Sequence, residues 1–162
     1  MQLDHAWIEA HIPHHGSMCL LDAVVSWDSE QIVCRASNHR DLAHPLRAHG
    51  RLGAACAIEY AAQAMAVHGA LLADPNEPPQ AGMLTGMRNV ALAVARLDHL
   101  AHDLRCEAWR LSGDSGMILY RFEVSAGAQL VASGRATVIL DASAALATAL
   151  GAPPGPSRAS EP

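Results

Sequence analysis

Residues 54–72 limit the possible folds more than any other part of this chain. They run through Ala, Met, Leu, Glu and Gln with no proline, and no glycine before Gly69, so they read as a helix. The helix is apolar on nearly every side. Such a helix must be wrapped by other elements rather than laid on a surface. One carboxylate, Glu59, stands in its middle. A lone buried carboxylate is costly unless it is paired or kept protonated. Glu59 therefore lies either on an exposed stripe or in a place where it does chemistry.

The material for wrapping is strand. "LDHAWIEAHIP" reads as a short helix turn stopped by Pro13. "LLDAVVSWD" and "QIVCRAS" flank a "SE" turn, so residues 20–37 read as a hairpin. Residues 38–53 carry Gly, Pro and Arg and read as a loop, as does "ADPNEPPQAG" after the helix. Four strand-like runs follow, "MLTGMRNVALAV", "DLRCEAWRLS", "MILYRFEVSA" and "QLVASGRATVIL", with turn signals at "GDSG" and "AGA". The pattern predicts an α+β domain over residues 1–141, a curved antiparallel sheet wrapped around one long central helix. This is the shape called a hotdog fold. Residues 142–162, rich in Ala and Pro, read as a flexible tail in which "ASAALATAL" adds at most a marginal helix turn.

Composition removes several functions. Of the 162 residues, 51% are hydrophobic and 17% charged, as in a folded domain. The net charge of −5 argues against nucleic acid as a partner. No apolar run is long enough to span a membrane. Cys19, Cys34, Cys56 and Cys106 form no CxxC pair and read as reduced core residues of a cytoplasmic protein. Ten histidines raise the question of metal. Pro13 spoils the helix that would align His11 with His15, and His99 and His102 lack a third ligand at a useful spacing, so no metal site is expected. There is no GxSxG motif of a serine hydrolase.

Two segments carry a resemblance. "IPHHGSMCLLDAVVSWD" is similar to the N-terminal signature of the FabZ-type β-hydroxyacyl-acyl carrier protein dehydratases. "AIEYAAQAMAVHG" is similar to their central helix, in which Glu is followed four residues later by Gln, here Glu59 and Gln63. The run Asn38–Asp41, Pro45–Arg47, Gly50–Leu52 and Ile58–Leu71 more closely resembles the divergent, ApeP-like dehydratases of aryl-polyene pigment clusters. The likeness extends over roughly residues 10 to 140.

The resemblance implies that a histidine takes the proton alpha to a thioester carbonyl while a glutamate protonates the leaving hydroxyl. Glu59 is then the acid, and an apolar pocket would keep it neutral by disfavouring the charged form. The family's His-Phe-Pro-Gly run lies fourteen residues before the glutamate, which lands here on Pro45, beside His44. His44 is thus the candidate base and His49 the second. Backbone N–H groups of Gly53 and Ala54, with Gln63, would hold the thioester oxygen or the substrate. Arg47 and Arg51 are candidate contacts for acyl carrier protein or its phosphopantetheine phosphate. The substrate would arrive on that carrier, with no cofactor of the protein's own. His14 matches a family position whose role is structural.

The family's acyl tunnel lies between subunits, so a dimer is expected, with itself or with another hotdog subunit. Two alternatives share the fold. A thioesterase would use the helix carboxylate to activate water. A non-catalytic acyl-binding or pairing subunit would explain the eroded His-Phe-Pro-Gly run.

Overall fold

A computed structural model of the chain describes residues 3–73, 82–114 and 116–140. The predicted tail, 142–162, and most of the loop after the long helix lie outside the described residues. The elements are α1 (His5–His11), β1 (Ala23–Trp27), β2 (Gln31–Ala36), α2 (Ala57–Leu72), β3 (Gly82–Leu92), β4 (Leu104–Gly113), β5 (Met117–Ala126) and β6 (Gln129–Leu140). Short 3-10 turns occupy Gly16–Met18, Asn38–Arg40 and Ala54–Cys56.

Local chemistry sets the boundaries. The Asp4 carboxylate caps α1 by accepting the Trp7 N–H at 3.1 Å. The helix stops at Ile12, which is extended because it precedes Pro13. The Asp28 carboxylate accepts the N–H groups of Glu30 and Gln31, at 2.7 and 2.9 Å, and so turns β1 into β2. Between β5 and β6 the chain reverses through Gly127, whose φ of 59° favours glycine. The long helix begins at Ala57 rather than 54, because Ala54–Cys56 tighten into a 3-10 turn ahead of it.

The strands form one antiparallel sheet in the order β1-β2-β4-β5-β6-β3. Alternation along β5 sends Ile118, Tyr120, Phe122, Val124 and Ala126 inward, beside Cys34 of β2 and Cys106 of β4. These side chains meet α2 through Tyr60, Ala61, Ala64, Met65 and Val67. Each large apolar side chain buried there contributes about 1.5–3 kcal/mol. The wrap is incomplete. Ile58, Glu59, Ala62 and Ala66 are only half-buried, and β3 is exposed along most of its length on both faces. β3 is paired on one side only, with β6, and leaves an eleven-residue open edge.

Candidate active site

Glu59 faces outward from the first turn of α2, and its side chain is about one-third exposed, 32%. The apolar enclosure expected around it is therefore not complete within this chain. Two side chains converge on its Oε1. Nε2 of His14 lies 3.1 Å away, and the amide of Gln63, one helical turn on, donates to it at 2.9 Å. His14 reaches Glu59 because the segment after Pro13 runs across the start of α2 and then turns through Gly16–Met18. That turn is pinned where the Gly16 N–H donates to the Glu9 carboxylate. Nδ1 of His14 is buried and has no partner among the described residues.

Gln63 is fully buried. Its Oε1 accepts the Leu20 N–H at 2.8 Å, and its Nε2 donates to Met18 O at 2.8 Å as well as to Glu59. The amide thus makes three contacts within the chain.

His44 lies elsewhere. It is 5% exposed and packs against Tyr60. Its Nδ1 accepts the Leu46 N–H at 3.1 Å, so in the neutral ring the proton sits on Nε2. Nε2 lies 2.9 Å from the Tyr60 hydroxyl, which in turn donates to Oδ1 of Asn38 at 2.6 Å. Burial first, then the Arg47 guanidinium, holds the His44 pKa below its ordinary value. Both ring nitrogens are engaged within the chain. The chain does not bring the ring against its own Glu59. His49 is exposed on a turn with φ of 51°.

The loop before α2 is stapled from behind. Leu97 N–H donates to Leu52 O at 2.8 Å, Ala54 N–H to Ala95 O at 3.1 Å, and Leu52 N–H to the Asp98 carboxylate at 3.0 Å. The Ala54 N–H is therefore committed, which leaves Gly53 as the member of the expected oxyanion pair without such a bond among the described residues. Asp98 is gripped by Arg96, whose hydrogen bonds hold the carboxyl well below the usual carboxylate range. Arg47 also reaches Asp98, at 3.5 Å, and donates to Asp41 O and Gly50 O. Its side chain is only 12% exposed and braces the loop. Arg51 is exposed.

A cavity of about 370 Å³ lies beside His44, lined by His5, Cys19, Asn38, Asp41 and Pro45 among others. A larger one of about 650 Å³, between Arg88 and Arg135 on β3 and β6, shares no residue with the Glu59 cluster. Among the described residues no group of three or more His, Cys, Asp or Glu is placed to hold a metal, and no helix is long and apolar enough to cross a membrane. The four cysteines are free.

The sequence readings missed the pairing of His14 with Glu59 and the internal use of Gln63. Tyr60 offered the one usable signal for the fate of His44, since a tyrosine in an alanine-rich core helix needs a partner for its hydroxyl.

Solved structures extend this picture. The dehydratase heterocomplex ApeI:P from Xenorhabdus doucetiae matches with a TM-score of 0.76 and 25% identity, over 88% of this chain and 96% of that one. Thioesterases from Pseudomonas aeruginosa and Haemophilus influenzae share the fold, with TM-scores of 0.55 and 0.56 at 12% and 10% identity. Each covers 73% of this chain, and 79% and 76% of the respective thioesterase. No curated protein matches the sequence. The architecture is the hotdog fold that the sequence predicted. The ApeP-like family, described as ApeP dehydratase, matches residues 6–148, and the chain belongs to that dehydratase family.

Proposed function

We propose that this chain removes water from a 3-hydroxyacyl thioester carried on the phosphopantetheine of acyl carrier protein, as one subunit of a cytoplasmic hotdog heteromer in fatty-acid or aryl-polyene-type synthesis. One observation carries the reading. In a dehydratase family, a carboxyl on α2 that is about one-third exposed is held on one oxygen by His14 and Gln63, and its other oxygen is left for a substrate. A base removes the proton alpha to the thioester carbonyl. The Cα–Cβ double bond forms as the Cβ–O bond breaks, and Glu59 gives its proton to the departing hydroxyl, which leaves as water.

The base comes from outside this chain's buried loop. His44 has both nitrogens engaged, so the reading assigns the proton acceptor to the partner subunit. The bare β3 edge and the half-buried stripe of α2 are surfaces that such a subunit would cover. The similar ApeI:P structure is itself described as a heterocomplex. Arg51, exposed at the approach to α2, is the cation available to the carrier protein.

The test is to incubate the full chain, alone and with a co-purified hotdog partner, with a 3-hydroxyacyl carrier-protein substrate. Mass spectrometry then follows water loss and free-acid release. Water loss by the pair is expected. Free acid without water loss would place the chain among thioesterases, and full turnover by the chain as a monomer would end the heteromer reading. Leu84→Lys and Val90→Lys on β3 should separate the subunits in size-exclusion chromatography; continued co-elution would put the interface elsewhere.

A further inference from the structure

We infer that Arg88 and Arg135 select the partner at the β3 edge: they disfavour a second copy of this chain and favour a hotdog subunit whose edge strand carries a carboxylate on the same sheet face. This rests on the heteromer reading above and adds what chooses the partner. The two arginines are direct cross-strand neighbours in the β3–β6 register, both exposed, and both line the cavity of about 650 Å³. Like charges so placed are destabilising unless an anion lies beside them. Neither β3 nor β6 contains an Asp or a Glu. Among the described residues neither arginine has an ion-pair partner. The carboxylate on the cavity wall, Asp114, accepts the N–H groups of Gly116 and Met117 at 2.8 and 3.0 Å. Arg121 faces Arg135 from β5, but it is compensated by Glu123 at 2.8 Å and by the face of Trp109 at 3.9 Å. The uncompensated charge therefore lies on the two strands nearest the open edge.

A second copy on that edge adds only more positive charge. Two β3 strands that meet antiparallel about their middle residue, Met87, bring both Arg88 side chains onto one face as diagonal neighbours, about 7–8 Å apart. Each Arg135 lies one strand further back, at a spacing of about 4.8 Å. The guanidinium groups of both copies then share the seam, and the β3 and β6 strands on either side of it hold no carboxylate. The backbone ladder is a weak counterweight. β3 is irregular between Leu84 and Gly86 and again between Arg88 and Ala91, where Asn89 takes a φ of 52°. Bulges and charges are devices that keep sheet edges from pairing with themselves. An Asp or Glu opposite Arg88 reverses the sign of the interaction, because a guanidinium takes a carboxylate through two parallel hydrogen bonds. The cavity between the arginines gives that side chain room to reach Arg135 as well.

The experiment is sedimentation of the full chain in dilute chloride buffer free of phosphate, with folding of each variant checked by circular dichroism. The native chain and the double variant Arg88→Glu with Arg135→Glu should each sediment as monomers. Their equal mixture should form dimers at the same total concentration, and those dimers should weaken as salt shortens the reach of charge. A native chain that dimerises alone at low salt, or a mixture that stays monomeric, would overturn the inference. With the co-purified hotdog partner, Arg88→Glu should lower affinity about tenfold or more at low salt and much less at high salt. Unchanged affinity would overturn the inference too. Leu84→Lys keeps the two possible failures apart. If it splits the heteromer and Arg88→Glu does not, the β3 interface stands and the charge selection falls. If neither splits it, the reading of β3 as the interface fails and takes the selection with it.

Discussion

Nε2 of His14 stands 3.1 Å from Oε1 of Glu59, a contact that joins the segment after α1 to the first turn of the central helix. An amide at position 59 retains an oxygen for both His14 and Gln63 but has no proton to give. Glu59→Gln should therefore fold like the native chain, with an unchanged melting temperature. Dehydration should fall by roughly a hundredfold or more. Native turnover in that variant would reduce Glu59 to a structural polar group.

His44 should behave in the opposite way. Truncation to Ala opens a gap beside Tyr60, whose hydroxyl keeps only its bond to Asn38, and leaves the Leu46 N–H without its acceptor. An unpartnered N–H costs about 1–3 kcal/mol, so the melting temperature should drop. His49→Ala, at an exposed turn, should change turnover by no more than about twofold. A stable but inactive His44→Ala, or an inactive His49→Ala, would return the base to this chain's own loop.

Acid should loosen the fold through three histidines. Burial is the main cause holding the pKa values of His39, His44 and His68 below the ordinary range. At His68, which lies between Asp28 O at 2.8 Å and the Tyr120 hydroxyl at 3.1 Å, burial outweighs the Asp28 carbonyl, whose bond acts in the opposite direction. Below about pH 6.5 the unfolded chain takes up protons that these folded rings refuse, so stability present above that pH is lost as pH falls. Thermal melts should show a falling melting temperature from neutral pH downward, with a shallower slope in His68→Gln. A flat profile would mean that the rings are protonated in the folded state.

The two loop arginines should separate cleanly. Arg47→Ala removes a brace on Asp98, Asp41 O and Gly50 O and should lower stability. Arg51→Glu should leave stability alone and raise KM for a carrier-bound substrate several-fold, more at low salt than at high salt. Equal KM values for native and Arg51→Glu protein would remove Arg51 from the carrier contact.

Most of the fold was legible because strand alternation and turn chemistry are local. The runs 117–126 and 129–140 match β5 and β6 residue for residue, and Asp28 and Gly127 mark real reversals. The start of α2 was misplaced because a 3-10 turn and an α-helical turn of Ala and Cys look alike in composition. The site was harder to read. Glu59 and Gln63 share a helix face by spacing alone, but the meeting of His14 with Glu59 depends on how a non-repetitive segment crosses the helix. His44 stands one residue from the family's base position. Its commitment to Tyr60 follows from the loop's path and not from its place in the sequence.

Cys34 and Cys106 are direct cross-strand neighbours on β2 and β4, both fully buried, and burial pushes the Cys34 thiol up to about 12. Cys56 is half-buried in the turn ahead of α2, next to the candidate site. A thiol-alkylating reagent therefore meets the chain with two different clocks. Cys56 reacts whenever the helix start loosens, whereas Cys34 and Cys106 wait for the sheet itself to open. Labelling rates at these positions thus read local opening at the site and global opening of the core in one sample.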